Sequence, residues 1–506
     1  MLNGTGFRKH GCRSLLFFTY RCTRHYTDTK RRTFKRMKTR LIYLINPKAD
    51  CFTSKPLILK KALYSPLAGL LQIAALIPED RYEVILADEN IERIDFDLKC
   101  DLVCISAMTS YVKRGYEIAD EFKSRGTPVI MGGIHPTFMP HEALMHADAV
   151  CVGEAELVMD RILRDLEGGC LAGIYKANEL CDMKTLPSPR LDLIKRNRYF
   201  HKTFIQTSRG CPTGCTFCAE HLVYGRKYRF RPMDEVVQEI RGCGDRTISI
   251  NDVDVFSTRE RTTELLTALK PLNVKWQGAV SCRLANEDDL LKLAAESGCF
   301  MVSIGFESIS KNSLKDVHKH ANDPEKYAKL IEKIHSYGIM VFGLFIFGLD
   351  NDEPDIFDET LKFAIESKID MCGFSIVTPY PGTITFFQMQ KENRITSYDW
   401  DKYDQGFIVY KPRSISPDDL WKKHKGIYEK FYSLGSIAKR FPYFQSRSRF
   451  QWFVMNMFFR KGETSGIDAS EPIIVDDTIL EYQPEIPLLP ASPDWQRIIR
   501  EGMAAG

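Results

Sequence analysis

The chain has 506 residues and a mass of 58.1 kDa, with 44% hydrophobic and 27% charged residues. That is the composition of a globular protein, neither disordered nor fibrous, and at about 150 residues per domain it has room for three. The net charge of +4 is unevenly spread: residues 1–40 hold 12 Lys and Arg against the single acid Asp28, which leaves the rest with 58 basic and 65 acidic side chains, a net of −7. A body of that charge excludes nucleic acid as the default partner, because neutralising phosphates takes a basic surface.

The basic stretch 1–36 reads either as an organellar transit segment or as a mis-assigned start, with translation beginning at Met37. Its apolar run SLLFFTY at 14–20 is short and no small-residue cleavage site follows, so a secretory signal is not expected. The longest apolar stretch, GIMVFGLFIFGL at 338–349, ends at Asp350, well short of the roughly 20 residues of a membrane helix. Fifteen cysteines, scattered except for one cluster, are not a secreted disulfide framework in so long a chain. A reducing cytoplasm is the expected location.

From residue 37 to 175 short apolar runs alternate with helical-period segments. RLIYLI (40–45), YEVILAD (82–88), DLVCIS (101–106), TPVIMGG (127–133) and ADAVCVG (147–153) read as buried strands, with helices at 66–77, 111–125 and 154–167. This is the pattern of a Rossmann-like, doubly wound parallel sheet, whose ligands lie beyond the carboxyl ends of the strands. The loops there are small and polar: SAMTSY (106–111), GGIHPT (132–137) and GEAE (153–156). Residues 176–200, with Pro187 and Pro189 and no clear period, read as an interdomain linker.

A second run follows over 201–400. FIQTS (204–208), RTISI (246–250), VKWQGAV (274–280), FMVSIG (300–305), IMVFGLFIF (339–347) and CGFSIVT (372–378) are the expected strands, separated by helices near 233–241, 258–270, 287–297, 324–337 and 354–366. Six such units with right-handed crossovers curl into a partial (β/α)6 barrel of the TIM type. Gly242, Gly298 and Gly338 are expected to cap helices in the left-handed conformation. Residues 401–506 form a mostly helical carboxyl-terminal region, with helices at 417–438 and 447–460 before a proline-bearing tail. No internal repeat is evident.

The sharpest signal is RGCPTGCTFCAEH, where Cys211, Cys215 and Cys218 are spaced C-x3-C-x2-C directly after the first strand of the second run. Three thiolates on one tight loop can bind one metal centre. Structural zinc wants four ligands, usually from two cysteine pairs; no second pair exists, although His221 could supply a fourth. Iron–sulfur clusters also take thiolates, and with three of them one iron of a 4Fe-4S cluster stays open to an outside ligand.

The cysteine loop, with Phe217 before its third cysteine and a six-unit βα repeat behind it, resembles the radical S-adenosylmethionine (SAM) enzymes over roughly 201–385. The resemblance implies that SAM chelates the open iron and is cleaved by one electron to a 5′-deoxyadenosyl radical. A closed, dry barrel suits such a radical, and the Val, Ile and Phe content of the strands suits the barrel. It further implies SAM contacts at Phe217, at Asp252 and Asp254 in the NDVD loop (251–254), at Ser303 and Glu307 in SIGFES, and at Gly348 near the adenine, with TPYPGT (378–383) as the sixth-strand loop. Relatives commonly have consecutive acids where Val253 separates these two. Barrel packing and turn chemistry are the alternative roles for each of these single residues.

The first domain resembles the cobalamin-binding domains that precede many radical SAM enzymes, through YSPLAGLLQIAAL (64–76), DLVCISAMTSY (101–111), GGIHPTFMP (132–140) and GEAE. The resemblance implies a corrinoid contacted by Ser106, Met108, Thr109, Gly132, Gly133, His135, Gly153 and Glu154. A D-x-H-x-x-G motif is absent, so a histidine below the cobalt is not expected; His135 challenges that, with a role in fixing the turn before Pro136 as its alternative.

In the methylating members methylcobalamin supplies the methyl group, the radical abstracts a hydrogen from the substrate and a second SAM remethylates the cobalt. IVTPYPGTITFFQMQKENRITSYDWDKYDQ (376–405) and the aromatic region after it resemble the subgroup of hopanoid C-methylases and bacteriochlorophyllide side-chain methyltransferases. The expected substrate is therefore large and hydrophobic, a tetrapyrrole of bacteriochlorophyll biosynthesis first and a hopanoid lipid next. A low-potential flavodoxin- or ferredoxin-type donor is the expected electron source. RFQWFVMNMFFRK (449–461) carries Phe450, Trp452, Phe453, Phe458 and Phe459, which would line a greasy cleft, dip into a membrane surface as a peripheral contact, or pack as ordinary core. Two other classes stay open: a non-methylating enzyme with the same cofactors that performs an oxidative cyclisation or ring rearrangement, and a corrinoid or iron–sulfur sensor.

Overall fold

Alternate residues of β1 (Arg40–Asn46) leave on opposite faces, Ile42 and Leu44 on one and Tyr43 and Ile45 on the other, and both sets are buried. A strand covered on both faces belongs inside a parallel sheet. β2 (Tyr82–Asp88), β3 (Leu102–Ser106), β4 (Val129–Gly132), β5 (Ala149–Val152) and β6 (Gly173–Lys176) complete it in the order β2-β1-β3-β4-β5-β6, all parallel. The direction of winding reverses between β1 and β3. Helices Ala68–Leu76 and Met159–Glu167 cover one face, and Val112–Ser124, Ile134–Phe138 and Pro140–His146 the other.

The computed structural model describes residues 40–49, 68–199, 202–283, 287–441 and 449–463. The basic segment 1–36, the SLLFFTY run, Met37, residues 64–67 of the YSPLAGLLQIAAL stretch and the proline-bearing tail lie outside the described residues. Both parallel sheets belong to one compact unit that begins at Arg40.

Between the sheets, residues 177–199 carry only short turns of helix at Met183–Thr185, Leu191–Leu193 and Arg196–Arg198. They are tied to the first sheet by Gln72 Nε2, which donates to Pro187 O (2.9 Å), and by Tyr199 OH, which donates to Asp88 Oδ2 (2.7 Å). Beyond them, β7 (Phe204–Ile205) opens the second sheet and continues into β8 (Ser208–Arg209), which pairs antiparallel with β9 (Arg229–Phe230). β10 (Thr247–Ile250), β11 (Lys275–Val280), β12 (Cys299–Glu307), β13 (Met340–Phe347) and β14 (Met371–Ile376) then add in sequence order, all parallel. β7 and β14 are its two unpaired edges, so the barrel is partial and open.

Its faces differ in kind. On the convex face Phe306 packs on Tyr327 (4.6 Å between ring centroids) and Phe347 on Phe357 (4.0 Å), beneath helices Pro324–Ser336 and Ile356–Glu366. The concave face presents Ser303, Gly305, Phe342, Leu344, Gly373 and Ser375, none of them fully buried. The expectation of a barrel filled with Val, Ile and Phe is corrected here. Val302, Ile304, Phe306 and Phe347 serve the outer layer, while the concave face keeps Phe342 among smaller residues toward the carboxyl ends.

At the amino-terminal end the interior is closed. Met301, Met340 and Met371, one turn of pleat below the open face, pack with Ile437 and the fully buried Trp452. Phe342 meets Phe459 at 5.9 Å. Arg440 seals the contact, donating to the carbonyls of Ile369 (3.0 Å) and Asp370 (2.8 Å) and to Asn456 Oδ1 (3.0 Å). Helix Arg449–Glu463 is therefore split along its length: Trp452 and Phe459 fill the barrel floor, while Phe450, Phe453 and Val454 face outward.

Small departures from the expected elements have local causes. The helix expected over 417–438 breaks into Pro417–Phe431 and Leu434–Arg440, because Ser433 turns out to cap the second piece, accepting from Ser436 N (3.3 Å). Gly298 and Gly338 take positive φ (+97° and +75°), but Gly242 lies inside helix Met233–Cys243 and the left-handed cap falls on Gly244. Among the described residues no helix is long and apolar enough to cross a membrane. Replacing Trp452 with Ala is expected to cost about 3–5 kcal/mol in chemical denaturation, the range for a buried large aromatic. Phe450→Ala, at a site 81% exposed, should change stability by less than about 0.5 kcal/mol.

Candidate active site

The loop after β7 crosses the carboxyl end of the second sheet and carries the three cysteines. Two of its glycines answer to the backbone: a Cβ on Gly210 (φ +91°) would stand 2.2 Å from Lys227 O, and Gly214 (φ +70°) holds a left-handed conformation that other residues rarely adopt. Three separate segments grip it. Cys211 N donates to Gly225 O (3.0 Å), Thr216 N to Val317 O (3.3 Å), and Thr385 N to Thr216 O (3.0 Å). Burial pushes the Cys215 thiol up to about 11 and the Cys218 thiol up to about 12, so both are neutral until an electropositive centre binds the sulfurs and their protons are released to solvent.

Among the described residues, the one group of three His, Cys, Asp or Glu ligand atoms within 4.8 Å of one another is Glu154, Glu156 and Cys181. The loop thiols do not converge in that way. Tetrahedral zinc, with Zn–S near 2.3 Å, would hold its sulfurs about 3.8 Å apart. His221 does not join them; it is buried with Nε2 unpartnered, and burial drives its pKa down to about 4. Three thiols held on one rigid loop but spread wider than a single ion allows fit a cluster of several metal atoms.

The other rim residues are arranged around this loop. Asp252 is buried and accepts from Thr207 N (2.6 Å), Ser208 N (3.1 Å) and both hydroxyls, which latches the end of β7 to β10. Burial raises its pKa against those bonds. Asp254 accepts from Phe256 N (3.1 Å) and Ser281 N (3.2 Å), and Val253 between the two acids points outward. Ser303 lies half-buried on the concave face, and Phe217 packs against the main core. Glu307 takes the left-handed conformation (φ +65°) and pairs with Lys319 Nζ at 2.7 Å. A Cβ on Gly305 would lie 2.3 Å from Glu307 Oε1, so that pair needs a glycine beneath it. Gly348 (φ +84°) ends β13 under Tyr410, whose OH donates to Gly348 O (2.6 Å).

In the first domain a cavity of about 160 Å³, open to solvent on one side, lies at the carboxyl ends of β3, β4 and β5. Ser106, Gly132, Gly133, Gly153 and Glu154 line it, over an apolar base that includes Leu70, Ile73 and Ile162. Gly133 (φ +101°) admits no side chain, since a Cβ would be 2.6 Å from Ala107 O. Met108, 48% exposed, and the buried Thr109 lie outside the lining. So does His135. Fully buried, it sets Nε2 3.3 Å from Glu142 Oε1 and its ring 5.1 Å from Trp400. Glu142 Oε1 also accepts from Tyr116 OH (2.9 Å) and Trp400 Nε1 (2.9 Å). Burial works against the Glu142 carboxylate, but its donors outweigh it and hold the pKa low. His135 thus belongs to a clasp between the first domain and the segment after the barrel. A second contact joins the domains: a Cβ on Gly382, in the TPYPGT loop, would meet Phe138 at 1.9 Å.

The residues missing from the sequence expectation are cations. Arg209 and Arg229 pair with Glu154, and Arg209 and Tyr224 close the cavity from the barrel side. The available signal was GEAE itself, whose two acids on a buried loop require positive partners.

Comparison with known proteins agrees with this geometry. The Radical SAM superfamily profile matches residues 205–364 and the B12 binding domain profile matches residues 55–163. A bacteriochlorophyllide d C-12(1)-methyltransferase of Chlorobaculum tepidum is 31% identical over 433 residues, covering 83% of this chain and 93% of that protein. The chain belongs to the cobalamin-binding radical SAM methyltransferases. A bacteriochlorophyllide d C-8(2)-methyltransferase of the same organism is 29% identical, covering 76% of this chain and 89% of its own. The cobalamin-dependent SAM radical enzyme OxsB, solved with aqua-cobalamin bound, shares the fold with a TM-score of 0.63 at 16% identity, over 84% of this chain and 72% of that one. The cofactors of this methyltransferase are a 4Fe-4S cluster, SAM and cobalamin. The spread thiols and the glycine-lined cavity are compatible with the first and the last.

The clasp makes stability pH-dependent. Burial lowers the His135 pKa, so the folded chain refuses a proton that the unfolded chain accepts below about 6.5. Its contribution is complete above that value and is lost as pH falls. His135→Gln should flatten this part of a stability profile measured between pH 7 and 5.

Proposed function

We propose that this methyltransferase adds a methyl group to an unactivated carbon on the side chain of a tetrapyrrole of the bacteriochlorophyllide type. The observation that carries the reading is the near-complete coverage of two curated relatives that bear that activity in their names. Exposed apolar side chains support it. Met108, Val253 and Leu344, large apolar side chains left 48%, 37% and 36% exposed, stand at or inside the carboxyl rims of the two sheets, as a broad hydrophobic substrate requires. A hopanoid lipid would satisfy the same surface and is the second reading.

Cys211, Cys215 and Cys218 are assigned to the cluster; Phe217, Ser303, Glu307 and Gly348 to the surroundings of SAM; Ser106, Gly132, Gly133 and Gly153 to cobalamin. When bound, cluster and SAM together supply a hydrogen-abstracting radical and cobalamin supplies the methyl group. The chain's own part is placement. Asp252 and Asp254 act one step back, by fixing the ends of β7, β10 and β11 from which the cofactor-facing loops spring. A low-potential electron donor of the flavodoxin or ferredoxin type completes the system.

Protein purified without oxygen should hold about four irons and four sulfides per chain, and the triple change of Cys211, Cys215 and Cys218 to Ala should lose them while keeping its circular dichroism. Stoichiometric zinc in the unaltered protein would end the cluster assignment. SAM carrying a deuterated methyl group, supplied with bacteriochlorophyllide and a reductant, should yield a labelled pigment by mass spectrometry. Label in a hopanoid instead moves the substrate to the second reading, and deoxyadenosine without labelled product rejects methyl transfer.

A further inference from the structure

Glu154 leaves the first domain on the loop after β5 and ends among groups of the second. Arg209 Nη1 lies 2.7 Å from Glu154 Oε1, and Arg209 Nη2 lies 2.7 Å from Glu156 Oε1. Arg229 approaches both oxygens of Glu154 at 3.0 Å. From the linker, Cys181 donates its N–H to Glu154 Oε2 (2.9 Å) and its thiol to Oε1 (3.3 Å). Every side chain of this network is largely withdrawn from solvent, Glu154 most of all. Arg209, bridging two carboxylates, and Arg229, gripping both oxygens of one, use the planar fork that lysine lacks.

Both arginines are also fastened to the cysteine loop. Arg209 stands two residues before Cys211 and donates through Nε to Gln206 Oε1 (2.9 Å). Arg229 donates to Tyr224 O (3.1 Å), and the next carbonyl, Gly225 O, receives Cys211 N. The Arg209 guanidinium lies over the Tyr224 ring at 5.5 Å. Glu154, Glu156, Arg209 and Tyr224 are at the same time the polar wall of the first-domain cavity.

We propose that this network couples the two cofactor sites: Arg209 and Tyr224 complete the corrinoid cavity from the barrel side, and filling the cavity fixes the loop that bears Cys211, Cys215 and Cys218. The proposal rests on the cofactor assignment above. Arg209 is a positioning residue, acting on the cluster through the backbone it anchors. An occupant of the cavity packs against Arg209 and Tyr224, restricts the motion of both, and so holds the loop they anchor more firmly. Coupling of this kind is reciprocal, so a well-ordered loop must in turn raise the affinity for the corrinoid.

The test titrates hydroxocobalamin into the full-length, cluster-loaded protein by absorbance and follows amide hydrogen exchange over residues 206–225 with and without it. In the unaltered protein hydroxocobalamin should slow that exchange. Arg209→Lys keeps the charge without the fork, and Glu154→Gln keeps the shape without the charge. Each should weaken hydroxocobalamin by about tenfold or more and abolish the slowing of exchange at saturation. Glu239→Gln breaks an equally buried ion pair with Arg231 that does not line the cavity, and should leave the affinity unchanged. Unaltered affinity and unaltered protection in both Arg209→Lys and Glu154→Gln would overturn the coupling, as would an equal loss in Glu239→Gln. Failure of the unaltered protein to bind hydroxocobalamin at all overturns instead the cofactor assignment on which the proposal stands.

Discussion

Two parallel sheets can work on one substrate only if their carboxyl ends face each other, and the buried pairing of Glu154 with Arg209 is the interaction that holds them so. Parallel sheets present their ligands beyond the carboxyl ends of the strands. A domain that carries one cofactor and a barrel that carries another must therefore meet rim to rim. Glu154 supplies the meeting point from the end of β5, and Arg209 receives it just before the cysteine loop. Losing one partner of a buried pair leaves a stranded charge, typically at a cost of about 3–5 kcal/mol. The geometry is defended more strongly than any surface ion pair could defend it.

Two further contacts keep the rims from pivoting on that point. Gly382, bare of a side chain, lets the sixth-strand loop lie against Phe138 of the first domain. The Glu142 carboxylate gathers donors from Tyr116, His135 and Trp400, so the segment after the barrel returns to clasp the helices behind β3 and β4. Ion pairs from Lys113 to Asp399 (2.8 Å) and Asp401 (3.0 Å) extend the same clasp to the surface. The barrel floor is held by a different principle, in which three methionines and Trp452 fill volume and Arg440 satisfies the carbonyls left at the start of β14. Rim contacts are polar and specific. Floor contacts are apolar and bulky.

Much of this was legible in the sequence where the physics is local. The strands from β1 to β5 and from β10 to β14 read clearly because helices cover the sheets and make the runs apolar. β6 did not, since GIYK is four residues at a sheet edge, and helices Ile134–Phe138 and Pro140–His146 were hidden by the two prolines in IHPTFMPHEA. Helix Arg449–Glu463 was readable as amphipathic in aromatics but not as to which side was buried, because its partners Met301, Met340 and Met371 lie on three strands far upstream. The cysteine loop announced itself by spacing. Arg209 did not, because what gives it meaning is Glu154, 55 residues earlier, and only the fold brings them within 2.7 Å.

The closed floor also decides where the depth of the barrel lies. Among the described residues Trp452 and Phe459 fill the amino-terminal mouth. The lateral seam between β7 and β14 is bridged at its carboxyl end by Thr385, which bonds the Thr216 carbonyl through its amide and the Thr216 hydroxyl through its own (3.1 Å). At the carboxyl end Met108 and Val253 leave apolar surface exposed at the rims, and Leu344 does so within the barrel. The concave wall beneath is cut back to Ser303, Gly305, Gly373 and Ser375, so the depth of the barrel lies above the filled floor, toward the carboxyl ends. The first-domain cavity and the cysteine loop are joined through Arg209, which lines the one and stands two residues before Cys211 in the other.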